Sequence, residues 1–291
     1  MKRYIAIIFA AFIFGELQID QSSNIHFGTI HRISDFSFIK VPFRLANYSN
    51  RIGYNDFELN SKFALEFTIK DPIEESLFNP ELREMYLSWY APIGQFNIGS
   101  IIHSWGILSN NSPTDNLSPI NYYYIFSRGT ERKLGQFSIT GDIYIDNHGF
   151  SFVFNPEHFG TEIPTNDSEL PLELPLPNKL IINEVSNPEY ALRYKYSGGL
   201  FDFELSYFDV YDKSFSLFGA NQWWDSTIDQ SLETAYIDTV LGYRKSEIIG
   251  LGFSTFINDL SLESEVAYFF TDDQINNKTN IYRPFTGTYR G

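Results

Sequence analysis

"EYALRYKYSGGLFDFELSYF", residues 189–208, alternates apolar and charged side chains on both sides of Gly198-Gly199. Tyr190, Leu192, Tyr194 and Tyr196 lead into the glycines, and Phe201, Phe203, Leu205 and Tyr207 lead away from them. A period of two is the mark of a strand with two unlike faces. Two adjacent glycines suit a two-residue hairpin turn, because both central positions then accept positive φ. Such a turn predicts the pairs Tyr196–Phe201, Tyr194–Phe203, Leu192–Leu205 and Tyr190–Tyr207 on an apolar face. The other face becomes a ladder of opposite charges, Lys195 against Asp202 and Arg193 against Glu204. A slip of one residue would move every side chain to the wrong face.

The same pattern recurs along the chain. In "FELNSKFALEFTIK" (57–70), Phe57, Leu59, Phe63, Leu65, Phe67 and Ile69 share one face, and Glu58, Asn60, Lys62, Glu66, Thr68 and Lys70 the other. In "IIGLGFSTFINDLSLESEVAYFF" (248–270), an Asn258-Asp259 turn predicts Ile257–Leu260, Thr255–Leu262 and Leu251–Val266. Gly252, Ser254, Glu263 and Glu265 then fall on the opposite side. In "MYLSWYAPIGQFNIGSII" (85–102), a turn at Ile93-Gly94 predicts Ala91–Phe96, Trp89–Ile98 and Met85–Ile102. Its polar face would hold Glu84, Ser88, Tyr90, Asn97 and His103. A helix also fits Leu82, Met85, Tyr86 and Trp89, but Pro92 and the continuing alternation favour the strand. A fourth hairpin is expected in "ITGDIYIDNHGFSFVFN" (139–155), turning near Asn147-His148 with Ile143 against Phe152.

Composition narrows the setting of these hairpins. Aromatics make up 18% of the 291 residues, Cys is absent, and mean hydropathy is -0.21, which excludes a bundle of membrane-spanning helices. The N-terminus "MKRYIAIIFAAFIFGELQ" places Lys2 and Arg3 before an apolar run from Tyr4 to Phe14. That run has signal-peptide length and is too short to span a bilayer as a helix. Residues 1–20 are therefore expected to be a signal peptide and 21–291 one domain. The net charge of -15 argues against a nucleic-acid partner, since phosphate binding needs a basic surface.

A two-sheet sandwich would alternate in the same way, so alternation alone leaves two architectures. Here, however, tight turns alternate with long polar loops, at about 105–134, 156–187 and 211–236. Short turns on one rim, long loops on the other, and strands ending in Tyr, Phe or Trp describe an outer-membrane barrel. The expected fold is all-β: an antiparallel, up-and-down transmembrane β-barrel with short periplasmic turns and long extracellular loops. Some ten to twelve strands are expected, those between about 33 and 48 being the least distinct. The chain ends "YRPFTGTYRG" after a polar stretch, so the barrel is expected to be incomplete at its C-terminus. Lys62, Glu66, Arg193, Lys195, Asp202, Glu204, Glu263 and Glu265 would line its lumen.

One loop stands out, "HSWGILSNNSPTDNLSPINYYY" (103–124). Pro113 and Pro119 restrict the backbone on both sides, and Thr114, Asp115, Asn116 and Ser118 can bond to their own chain. A rigid loop after a strand end suits an inward-folded constriction, made of Trp105, Pro113, Thr114, Asp115, Asn116 and Pro119. Equally, Asp115 and its neighbours could do no more than cap a turn.

Residues 82–124 resemble a group of bacterial porin-like barrels related to alginate-export and long-substrate porins. Their pattern L-R-E-x-Y, a strand pair ending W-G, then N-P-T-D-x-L-[ST]-P, is met by Leu82-Arg83-Glu84 with Tyr86, by Trp105-Gly106, and by Pro113 to Pro119. Ser112 stands where the pattern has Asn, and His103-Ser104 depart from it. The stretch 248–270 is also similar to a late hairpin of that group. The resemblance implies a Gram-negative-type outer-membrane channel for passive diffusion of small or elongated solutes. The alternative is a sealed structural or adhesive surface barrel, because salt-bridge ladders fit a wet lumen and a filled bore alike. Implied partners are outer-membrane lipid and lipopolysaccharide, small solutes, and a homo-oligomeric assembly.

Enzymatic chemistry is not indicated. No Gly-x-Ser-x-Gly, Cys nucleophile or phosphate loop is present, and the five His lack metal-ligand spacing, so no metal and no cofactor is expected. His103 and Ser104 are neighbours on a strand end and would face opposite ways. The acidic run 166–179, with Asp225, Asp229, Glu233, Asp272 and Asp273, is expected to form an acidic outer rim, either a simple solvated surface or a site for bridging cations.

Overall fold

A computed structural model describes residues 17–39, 41–68, 78–108, 112–163, 180–183, 185–224, 235–257 and 260–271. The chain divides into two compact units. One holds the chain up to Ile102 together with Gly135–Val153. The other holds His103–Leu134 and the chain from Phe154 onward.

The first unit is built from β1 (Leu17–Ile25), the short pair β2 (Ile30–His31) and β3 (Phe38–Ile39), β4 (Phe43–Tyr54), β5 (Phe57–Phe67), β6 (Phe78–Ala91), β7 (Gly94–Ile101), β8 (Gln136–Ile145) and β9 (His148–Asn155), the last two residues of which, Phe154 and Asn155, belong to the second unit. Strand β1 pairs with β4, and β4 to β8 follow one another in chain order, every pairing antiparallel. Residues Leu17–Asp20, assigned above to the leader, form the start of β1 and pair with Tyr54–Arg51. The chain between β8 and β9 reverses at Asp146-Asn147, with Asp146 at φ +52.

The second unit contains β10 (Leu180–Asn183), β11 (Glu189–Ser197), β12 (Phe201–Tyr211), β13 (Ser216–Trp224), β14 (Ala235–Gly242), β15 (Lys245–Ile257) and β16 (Leu260–Thr271). Strands β11, β12, β15 and β16 pair antiparallel in that order. Strands β10, β14 and β13 make a separate small sheet, with β10 parallel to β14. The regions 156–187 and 211–236, expected to be plain loops, thus contribute strands. Strand β10 pairs with the sequence-distant β14, and β13 and β14 are joined by a long connection, so no tight turn advertised any of the three. The acidic run 166–179 and Asp225, Asp229, Glu233, Asp272 and Asp273 lie outside the described residues, as do residues 1–16 and the chain end.

Register repays comparison. The β15–β16 pairing is as expected, with Ile257 on Leu260, Thr255 on Leu262 and Leu251 on Val266. Two other hairpins are shifted by two residues. At β11–β12, Ser197 pairs with Asp202 and the Gly198 N–H donates to the Phe201 carbonyl at 3.0 Å. Gly198-Gly199 therefore lie in a three-residue connection that ends at Leu200. Lys195 consequently faces Glu204, with an ion pair of 3.0 Å, rather than Asp202. At β6–β7 the turn is Pro92-Ile93, so Trp89 faces and stacks on Phe96 at 5.5 Å instead of facing Ile98. A shift of two preserves the faces, so the chemistry of each side survives.

The faces are inverted relative to a water-soluble sheet. Leu82, Leu87, Trp89 and Ile98 in the first unit are exposed, as are Leu192, Leu205, Ile249, Leu251 and Val266 in the second. On the opposite face Ser88 and Ser138 are 0% exposed and Glu204 only 2%. An open apolar face of this extent cannot be left to water without cost, whereas lipid satisfies it. The fold class is that of an outer-membrane β-barrel: all-β, antiparallel and up-and-down, with short turns on one rim and a long loop between β7 and β8.

Candidate functional site: the loop between β7 and β8

The loop from His103 to Leu134 belongs to the second unit and lies on its polar face. Leu117 and Pro119 are fully buried, and so is Thr114 to within 2%. Trp105 packs on Phe208 of β12 with ring centroids 5.4 Å apart. The Arg193 guanidinium of β11 sits 4.5 Å from the centre of the Trp105 ring, a cation–π contact. Gly106, at φ +107, turns the chain sharply after that anchor.

Local bonding stiffens the middle of the loop. Asn116 Nδ2 donates to the Pro113 carbonyl at 2.7 Å, Thr114 N–H to Ser112 Oγ at 3.2 Å, and Asp115 N–H to the Ser112 carbonyl at 3.2 Å. Asp115 does more than cap. Its Oδ1 accepts the Trp105 N–H at 3.2 Å, and its Oδ2 forms an ion pair with Lys133 at the far end of the loop. Lys133 Nζ also donates to the His103 carbonyl at 2.8 Å. His103 N–H donates to Ser118 Oγ at 2.7 Å, and Leu134 N–H to the Pro119 carbonyl at 2.9 Å. The loop is closed by a staple across its base.

Glu265 of β16 holds the loop from the wall side. It accepts from Ser112 Oγ at 2.8 Å, from the Leu108 N–H at 3.2 Å, and from Thr114 Oγ1. Among the residues expected to line the lumen, Arg193 and Glu265 thus touch the loop. Glu204 is buried beside Lys195, while Asp202 and Glu263 are exposed. No described cation pairs with either of those two. Register places Asp202, Ser254 and Glu263 in one row across β12, β15 and β16. In the first unit Lys62 pairs with Glu84, and Glu66 lies opposite Arg44 in the ladder.

Lys133, Ser112 and Glu189 had no signal that singled them out. Glu189, at the start of β11, is completely buried and accepts from Lys213 Nζ at 2.7 Å, the Tyr211 N–H at 3.0 Å and Asn155 Nδ2 at 3.2 Å. His158 Nδ1 lies 2.8 Å from Glu189 Oε1, the oxygen that also accepts the Tyr211 N–H. This carboxylate ties the segment after β9 and the segment after β12 to the strand ends. Among the described residues no group of His, Cys, Asp and Glu is arranged to hold a metal ion.

His103 gives the loop a pH response. Burial, followed by the nearby Lys133, Lys213 and Arg193 cations, pushes its imidazole down to about 3. The ordinary value is about 6.5, so between the two the unfolded loop binds a proton that the folded loop refuses. The stabilisation is present above pH 6.5 and is lost as pH falls toward 3. Amide protection of residues 103–121 is expected to drop between pH 6 and 4, and His103→Asn to flatten that drop. Equal pH slopes in both proteins would refute the assignment.

Fold and loop together define a protein of the outer-membrane β-barrel kind. No family model matches the sequence, and no curated protein does. Among solved structures the chain is similar to a loop L8 deletion mutant of OmpT, an outer membrane protein of Vibrio cholerae. The two are 9% identical, with 89% of this chain and 82% of that one covered, at a TM-score of 0.29. Similarity at that level carries no residue correspondence.

Proposed function

We propose that the protein is a channel for passive diffusion of small or elongated hydrophilic solutes across the outer membrane of a Gram-negative-type bacterium. The observation that carries this reading is the stapled loop Trp105–Pro119 lying on a polar strand face whose opposite side is apolar. In this reading the loop narrows the bore and selectivity follows from charge placement, without bond chemistry. The resemblance of residues 82–124 to alginate-export and long-substrate porins supports it. Outer-membrane lipid and lipopolysaccharide are the surroundings, and further copies of the chain the expected assembly partners.

Charge placement makes the channel cation-selective. Asp115 is neutralised by Lys133, Lys62 by Glu84 and Lys195 by Glu204, whereas no described cation pairs with the exposed Asp202 and Glu263. Planar-bilayer recordings under a KCl gradient are expected to give discrete steps with a cation-selective reversal potential. Asp202→Asn with Glu263→Gln should move that potential toward zero by half or more. Absence of steps from protein shown folded by heat-modifiable gel mobility would overturn the channel.

A sealed surface barrel is favoured by a different observation. In the first unit Ser88 Oγ donates to Asn97 Oδ1 at 2.7 Å, Asn97 Nδ2 to Thr140 Oγ1 at 2.9 Å, and Asn60 Nδ2 to Glu58 at 2.8 Å. Such a self-satisfied network fills space as well as it lines it. The same recordings separate the two.

A further inference from the structure

We infer that Gly250, Gly252 and Glu265 form a built seat for the loop, with Glu265 as the positioning residue that sets how far the loop stands into the bore. This rests on the channel reading for its consequence, but the seat itself is a matter of packing. Strand β15 presents Ser246, Ile248, Gly250, Gly252 and Ser254 to the polar face, so its middle two inward positions have no side chain. A Cβ at Gly250 would overlap the Thr114 methyl and the Ser206 hydroxyl. A Cβ at Gly252 would come within 2.8 Å of Ile107 Cδ1. Glycine inside a strand weakens it, and the usual compensation is the close approach of another segment.

Here that segment is the loop. Ile107 and Thr114 drop into the space left by the two glycines. On the neighbouring strand Glu265 lies in the row of Gly252, directly across the ladder. Its carboxylate collects three donors from the loop: Leu108 N–H, Ser112 Oγ–H and Thr114 Oγ1–H. A Cβ at Gly106 would also meet Glu265 Oε1, at 2.8 Å. Groove and carboxylate therefore act on the same part of the loop from two adjacent strands. A carboxylate with three loop donors is stronger than neutral bonds and cannot be replaced by water without releasing the loop.

The absence of Cys from the chain makes the seat directly testable. A Cβ at Gly250 would lie 3.2 Å from Thr114 Cβ, a few tenths of an ångström short of the range of about 3.5–4.5 Å that disulfides span. Full-length Thr114→Cys/Gly250→Cys is expected to cross-link under mild oxidation, read as a reductant-sensitive shift in gel mobility. Adding Glu265→Ala should slow the cross-linking by about tenfold or more, since hydrogen bonds to a charged acceptor are worth at least that in local opening. Glu265→Gln, which keeps an acceptor oxygen, should fall between. Heat-modifiable mobility checks that each variant has folded.

Equal cross-linking rates with and without Glu265 in folded protein would overturn its role, and failure of the pair to cross-link at all would overturn the seat. In bilayers Glu265→Ala is expected to raise the unitary conductance and the open-state noise. Glu265-dependent cross-linking in a protein that passes no current would sustain the seat and sink the channel. Discrete steps together with Glu265-independent cross-linking would do the reverse.

Discussion

Replacing Asp115 by alanine is expected to destabilise the loop between β7 and β8 by about 3–5 kcal/mol, the usual cost of removing one partner of a buried ion pair. Lys133 is the reason. Its side chain is almost wholly buried, and Asp115 is the carboxylate that pairs with its ammonium, beside the His103 carbonyl. Asp115 is slightly exposed, which places the effect at the lower end of the range. The loss should be local, read as protease nicking between residues 103 and 134 while heat-modifiable mobility is retained. Asp115→Asn should cost less, because its amide oxygen can still accept from Trp105.

Two further outcomes follow from the cause. Pairing Asp115→Ala with Lys133→Met removes the buried charge that lost its carboxylate and should recover most of the loss, a coupling that a double-mutant cycle reads directly. Burial holds the Lys133 ammonium below its ordinary range even with Asp115 present. Without the carboxylate it falls further, so the alanine variant should lose its handicap as pH rises and the lysine sheds its proton. An Asp115→Ala loop as stable as the original at pH 7 would mean that the pair is incidental and that Asp115 only caps its turn.

Strand faces were legible in the sequence because a period of two needs only local information, and Tyr190 to Tyr207 carry it without ambiguity. Register was less so. The Asn258-Asp259 expectation places Leu251 on Val266 as observed. Gly198-Gly199 misleads by two residues, because Leu200 joins the reversal and nothing local marks where the turn is centred. The error is harmless to the faces, and the rings still lean toward the expected partners: Tyr196 lies 5.5 Å from Phe201 and Tyr194 6.5 Å from Phe203. The loop's self-bonding was legible from Pro113, Asn116 and Pro119. Its anchors were not, since Lys133 and Glu265 meet Asp115 and Ser112 only through the fold. Gly250 and Gly252 did carry a signal, two inward glycines inside one strand, whose partner only tertiary structure supplies.

Leu251→Arg tests the orientation on which all of this depends. Leu251 stands at the centre of β15 on the apolar face, between Leu205 and Val266, and is 42% exposed. On a sheet facing water an arginine there would change stability by no more than about 0.5 kcal/mol, as surface substitutions generally do. Facing lipid near the bilayer midplane, it should cost about 2–4 kcal/mol. Ser254 on the same strand faces the polar side, so Ser254→Lys should leave stability nearly unchanged and instead offset Asp202 and Glu263, its neighbours in the row. Denaturant unfolding in lipid vesicles, followed by heat-modifiable mobility, gives both numbers. Position matters as well: Ile257→Arg, at the turn end of the same face, should cost far less than Leu251→Arg, because the penalty falls toward the interface. A flat profile from residue 251 to residue 257, or a Ser254→Lys penalty as large as that of Leu251→Arg, would show that the apolar face does not meet lipid.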